Sequence, residues 1–276
     1  MMRYIEILNI RARAGSVEHY YHFMFGFLIP LAHYLSQTRE SDIYFLRSCG
    51  PMNQKLLELN ISKLIFVTKE TLPRLFKDYK VTSLIGFDWH DYYNLTVFMQ
   101  SRAYLLKKLF AEDNTSHYPS QDHPQIVLIN RETADPFYQS AFAESKTSGR
   151  DRRSIPNFSE LSAEVEAAGL NATTANLDFA TLKQQAELFG SANIVVAQHG
   201  AALANIFWMR PKTKIIEICP QTLDDDHKML FRKLAELMDV DYEVVFQESD
   251  HTRVDPRSVI SAIMSYRTVE NDLVSS

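Results

Sequence analysis

Cysteine is nearly absent from this chain of 276 residues. Cys49 and Cys219 stand alone, far apart and in no metal-like spacing. That leaves out a disulfide scaffold and a cysteine-rich zinc site, and both thiols read as reduced packing residues in a reducing, cytosolic setting. Long apolar runs are missing too. The nearest, Phe23 to Leu31, contains Gly26, ends in Pro30-Leu31 and is about half the roughly 18–20 residues a membrane span needs. It reads as a buried helix, with peripheral membrane contact left open. The N-terminus, Met1-Met-Arg-Tyr-Ile-Glu-Ile-Leu-Asn-Ile10, is too short and too charged for a signal peptide. An excess of positive charge is also lacking. The formal net charge of -5 argues against a general nucleic-acid binder. There is no Gly-x-Gly-x-x-Gly, no phosphate-loop lysine motif and no Gly-x-Ser-x-Gly elbow, which weakens dehydrogenase, kinase and serine-hydrolase readings. Internal repeats and low-complexity segments are absent.

What is present is an alternation of β-rich runs with helical patterns, the mark of α/β architecture. Strands are predicted at Ile5–Ile10, Asp42–Arg47, Lys63–Val67 and Val81–Phe87, with helices at Val17–Gln37, Pro51–Leu59, Leu72–Tyr79 and Leu95–Ala111. A polar tract, Glu112 to Pro124, reads as a linker. A second series follows: strands from Gln125–Ile129, Asn171–Leu177, Ile194–Ala197, Lys214–Cys219 and Tyr242–Gln247, and helices over Phe158–Ala168, Phe179–Phe189, Asp226–Met238 and Pro256–Tyr266. Arg131 to Arg153 reads as a long polar loop. The expectation is two Rossmann-like halves facing across a cleft. Residues 1–120 form an acceptor-side domain and 121–254 a nucleotide-sugar-binding domain, with a terminal helix in 255–276 packing back on the first.

The densest signal is Asn193-Ile-Val-Val-Ala-Gln-His-Gly-Ala-Ala-Leu-Ala-Asn-Ile-Phe-Trp208. A buried strand leads through Gln198-His199-Gly200 into an alanine-rich helical run beginning at Ala201. The unpaired N–H groups and positive dipole of such a helix end suit an anion. Gly200 would let a ligand approach the backbone closely. His199 falls at the carboxyl end of the strand, where open α/β sheets bind ligands. The next strand carries Glu217 among isoleucines. A nucleotide offers a diphosphate to the N–H groups and a ribose diol to the carboxylate, although Lys214 could also satisfy Glu217.

Arg131 follows a strand directly, and Arg150, Arg152 and Arg153 cluster before a helix. Guanidinium groups pair bidentately with phosphate oxygens and could neutralise a diphosphate, though the 150–153 run also fits a solvated loop. His19 and His22 lie three apart on one predicted helical face. No further ligand cluster is placed with them, so no metal is expected there, and one of them as general base is the better use of an imidazole. Asp88, His90 and Asp91 form a second polar knot at a strand end, offering alternative bases or acceptor contacts. Asp224-Asp225-Asp226 lacks the Asp-x-Asp context of metal-dependent transferases and reads as helix N-terminal charge.

These pieces together resemble glycosyltransferase family 61. The likeness rests on Arg131 after a strand, Arg152-Arg-Ser-Ile-Pro-Asn157 with Glu160-Leu161, Gln185 to Phe189, Ala197-Gln-His-Gly-Ala-Ala-Leu-Ala-Asn205, Trp208-Met-Arg-Pro211 and Ile216-Glu-Ile-Cys-Pro220. In the first half Tyr21-His22-Phe23 and Ile29-Pro-Leu31 resemble the family's aromatic helix, while His19 stands where the family often has asparagine. The resemblance implies a GT-B fold and an inverting, metal-independent transfer from a nucleoside diphosphate sugar, UDP-linked, to a hydroxyl of a glycan or similar acceptor. Surface polysaccharide synthesis at the inner face of the membrane would be its setting. No cofactor beyond the donor is expected. The donor would be held by Arg131, Arg152, Arg153, His199, Gly200, Ala201 and Glu217. The base would be His22 or Asp91, with His19, Asp88 and His90 on the acceptor side. Two other classes compete: a non-catalytic sugar-nucleotide-binding module of degenerate transferase origin, and a GT-B-shaped sugar-nucleotide epimerase.

Overall fold

Short runs of β-branched and aromatic residues separated by amphipathic segments of ten or more residues can pair only in parallel, because each return crosses a face of the sheet. A computed structural model describes residues 1–8, 16–38, 42–61, 63–68, 70–87, 89–111, 126–133, 135–144 and 146–274, with side chains to residue 266. It contains two sheets, both wholly parallel. The first comprises β1 (Met2–Leu8), β2 (Ile43–Arg47), β3 (Leu64–Val67) and β4 (Lys80–Ile85), in the order β3-β2-β1-β4. The second comprises β5 (Ile126–Asn130), β6 (Ala172–Asn176), β7 (Ile194–Gln198), β8 (Lys214–Pro220) and β9 (Asp241–Gln247), in the order β6-β5-β7-β8-β9. The protein is therefore α/β.

The chain divides into two units. One holds residues 1–117, 137–146 and 181–183, and the other residues 118–136, 147–180 and 184–276. The segment read as a polar loop is thus not one loop. Its middle belongs to the first unit, where Tyr138 is buried and donates its hydroxyl to the Glu18 carbonyl at 2.5 Å. The Glu144 N–H donates to the Glu18 carboxylate at 2.8 Å. Gly50, at φ +56, leaves room there for Phe137.

In the first unit the predicted helix over 17–37 runs as an α-helical turn Tyr20–Phe23, a π-helical turn Met24–Leu28 and an α-helix Ile29–Ser36. Pro30 accounts for the widening. It has no N–H to give the Gly26 carbonyl, and a wider turn moves that carbonyl off the ring. Ser101, on the helix Leu95–Leu109, donates to the Ile29 carbonyl at 3.0 Å and ties the two helices together. The predicted helix over 72–79 shrinks to Leu72–Leu75.

In the second unit the inner strands β5, β7 and β8 are buried almost throughout, as expected of a parallel sheet covered on both faces. Their side chains form a core with Leu161 and Val165 of the helix Phe158–Ala167. Val259, Ala262, Ile263 and Tyr266 of the terminal helix Pro256–Val274 join this same core. In its described part the helix's apolar face fills the second sheet's own core. Asp224 caps the helix Asp225–Leu237 by accepting from the His227 N–H at 2.9 Å, which explains the acidic run. The alanine run after Gly200 is a 3-10 helix, Ala201–Trp208, rather than an α-helix. Residues 203–209 are all buried, so packing on every side, not alanine's propensity, sets its form.

Candidate active site

In the second sheet the strand order reverses between β5 and β7. The carboxyl ends of those strands diverge there, and open α/β sheets bind ligands at such a switch point. The chain leaves β5 into Arg131 and β7 into His199, so both predicted residues stand at this point. Arg131 Nη2 donates to the His199 carbonyl at 2.7 Å. Gly200 makes this possible: its φ is +150, and a Cβ would lie 1.8 Å from Arg131 Nη2. The close approach expected of a ligand at Gly200 is in this structure made by the guanidinium. Ala201 opens the 3-10 helix, and no side chain caps that end.

Burial first, then the positive charges of Arg153 and Arg152, lower the Arg131 pKa to about 10 against the opposing Asp178 and Asp250. Arg152 is likewise lowered by burial and then by Arg153. The three guanidinium groups therefore share one field, and an anion among them would relieve it. Arg153 is steered by Asp250, its Nε donating to Oδ1 at 2.7 Å.

A polar clamp holds this cationic segment. Gln198, 2 % exposed, donates from Nε2 to the Ser154 carbonyl at 3.0 Å and to Gln247 Oε1 at 2.6 Å. Gln247 Nε2 donates to the same Ser154 carbonyl at 3.0 Å. The Ser154 N–H donates to the Asp250 carbonyl at 2.9 Å. Asn157 closes the clamp against Val254, donating at 2.8 Å and accepting at 3.0 Å. Gln198, Gln247 and Asp250 were not among the expected site residues. The signal for Gln198 and Gln247 was a glutamine as the last residue of a strand, a costly place for a buried amide without partners; Asp250 carried no such signal.

Glu217 lies at the centre of a buried polar cluster. It is 0 % exposed, its Oε1 lies 2.5 Å from His199 Nδ1, and its Oε2 accepts from the Tyr242 hydroxyl. Both oxygens are engaged inside the protein, Oε1 with His199 and Oε2 with Tyr242. Lys214, the other partner considered, instead donates to Glu243 at 2.5 Å, the Ala262 carbonyl at 2.9 Å and Ser265 Oγ at 2.8 Å. The backbone positions explain this: Glu217 pairs in register with Ala197, two residues before His199. His199, Glu217 and Cys219 each bring a donor atom within 4.8 Å of the others, all buried. The nitrogen and carboxylate oxygens are bonded to one another and to Tyr242, and burial pushes the Cys219 thiol up to about 12. The set reads as a hydrogen-bonded cluster.

The first unit holds the predicted acceptor-side residues. His19 precedes the helical turn and stacks on Tyr138, centroids 5.0 Å apart and planes 7° apart. His22, partly buried, meets the Tyr21 ring edge-on at 5.1 Å. The Tyr21 and Tyr93 hydroxyls are hydrogen-bonded at 2.9 Å, and Tyr93 packs on Phe25 at 5.3 Å. The turn carrying His90 and Asp91, paired at 3.2 Å with Asp91 exposed, thus adjoins the helix of His22. Asp88 lies outside the described residues.

The sequence pattern described as Glycosyltransferase 61 matches residues 20–216, well over half of the chain. The protein belongs to glycosyltransferase family 61. Among curated proteins none matches it. The matched span of this glycosyltransferase takes in every expected site residue except His19 and Glu217, which lie just beyond its two ends. A glycosyltransferase acts on a donor and an acceptor. Among the described residues no helix is long and apolar enough to cross a membrane.

Proposed function

We propose that this glycosyltransferase moves a sugar from a nucleoside diphosphate sugar, UDP-linked, to a hydroxyl of a glycan or similar acceptor in a single inverting displacement. The observation that carries the reading is the meeting of Arg131, Arg152 and Arg153 with His199 at the switch point of the second sheet. Guanidinium groups in a partly desolvated site stabilise the charge that develops on a leaving diphosphate. That charge needs no metal to balance it, which is the ground for proposing metal-independent turnover. The acceptor hydroxyl must lose its proton on the face of the sugar opposite the diphosphate, and His22 is the proposed base, with Asp91 as the second candidate. The reading entails a GT-B arrangement in which the two units close on one another during turnover. It also suits surface polysaccharide synthesis in the cytoplasm, at the inner face of the membrane.

The test is calorimetric titration of the full chain with UDP, beside Arg131→Ala. Binding weakened by about 1–3 kcal/mol in a folded variant, the cost of losing a charge-assisted contact, supports the placement. Equal affinity in both proteins overturns it. UDP released from UDP-sugars should persist in excess chelator. Manganese-reversible loss would overturn metal independence, and interconversion of two sugar nucleotides without release would favour an epimerase.

A further inference from the structure

One nitrogen of the His199 ring is engaged and the other is not. Nδ1 meets Glu217 Oε1 at 2.5 Å, while no hydrogen bond within the described residues reaches Nε2, although the residue is only 4 % exposed. An ionised carboxylate only accepts, so Nδ1 carries the proton. Nε2 is then a lone pair in the neutral ring and an N–H donor in the protonated one. Glu217 is itself held from the far side by the Tyr242 hydroxyl.

The groups around the ring set its charge. Phe231 packs against it edge-on at 5.1 Å. Glu217 favours the imidazolium; Arg131 and Arg153 oppose it. Arg152 bears on the same field through its effect on Arg131. On the helix Asp225–Leu237, Lys228 acts on the Cys219 thiol and Arg232 lies over the Tyr242 ring at 4.8 Å. Burial is the largest effect and, with the smaller opposition of Arg153 and Arg131, outweighs Glu217 and holds the imidazole below its ordinary range.

A diphosphate shifts that balance toward the imidazolium, because its charge cancels the arginines and attracts the protonated ring directly while Glu217 stays in place. We propose that His199, fixed by Glu217 and Tyr242, takes up a proton from solvent when a nucleoside diphosphate binds and holds a phosphate oxygen through Nε2–H. This rests on the donor site proposed above. No covalent bond is made or broken. The proton enters with the ligand and leaves with it, and Glu217 and Tyr242 act as positioning residues. The device would add one donor to the leaving group only when an anion is there to need it.

The test is calorimetry of UDP binding to the full chain at about pH 8, where the ligand's phosphates are already ionised, in buffers of different ionisation enthalpy. The expected result is uptake of roughly half to one proton per UDP. His199→Gln should bind UDP without uptake, and Glu217→Gln should lose uptake in the same way. Tyr242→Phe, the milder change, should reduce it. UDP bound without uptake by the unaltered protein overturns the proposal, as does undiminished uptake in His199→Gln. Should the variants not fold, the proton count of the unaltered protein and the nitrogen NMR shifts of His199, with Nε2 protonated only in the complex, decide alone. Absence of binding by UDP, GDP, ADP and pyrophosphate alike would instead refute the donor site itself, and the proposal with it.

Discussion

A glycine and a guanidinium share one space at the end of β7. Arg131 can reach the His199 carbonyl only because residue 200 has no side chain, and a Cβ there would stand 1.8 Å from Nη2. The φ of +150 adds a second penalty for any L residue. Gly200→Ala is therefore expected to displace Arg131 and weaken UDP binding about as much as Arg131→Ala, by about 1–3 kcal/mol. The two changes should be far from additive, since each removes the same contact. A double-mutant cycle measured by calorimetry checks this. Full additivity would mean that Gly200 serves a different partner.

At the scale of elements, the π-helical turn Met24–Leu28 is the irregular one, and π turns in α-helices recur at functional sites. It follows directly on the turn bearing His22 and presents Phe25 to Tyr93, so the helix and the His90–Asp91 turn share one aromatic joint. If His22 is the base, His22→Ala should cut transfer by roughly 10²–10⁴-fold while UDP affinity holds. Near-normal transfer would exclude His22, and the same assay on Asp91→Asn would then test the adjoining turn. The elements differ in how far they could be read from sequence. β5, β7 and β8 were legible because strands buried on both faces must be apolar throughout, and Arg131 and His199 were legible as the first residues after two of them. The π turn was not, since its cause is one missing N–H at Pro30 inside an otherwise helical pattern. Glu217 was legible as a buried acid in need of a partner, but not which partner: that depends on strand register, which brings His199 and Tyr242 to it from separate strands. The clamp of Gln198, Gln247 and Asn157 depends likewise on residues about 40–100 positions apart meeting over strand ends.

At the scale of the whole molecule, the chain builds the proposed donor side from four separated segments. These follow β5, precede Phe158, follow β7 and follow β9. Between the first two, the chain passes residues 137–146 to the other unit, where Tyr138 and Glu144 bind Glu18 beside His19. A ligand that joins the arginines should restrain all four segments together, because Arg131 with the His199 carbonyl, and Ser154, Asn157, Gln198 and Gln247 among themselves and with Val254, already couple them through hydrogen bonds. Opening free energies vary along a structure, and a ligand raises those of the segments it holds. Hydrogen exchange with and without saturating UDP should therefore slow at residues 130–133, 150–157, 198–203 and 247–254. The strands of the first sheet should exchange unchanged in the presence of UDP alone. Protection confined to the first sheet would move the donor to the other unit. Protection at 198–203 without 150–157 would show that the arginine segment takes no part in holding the diphosphate.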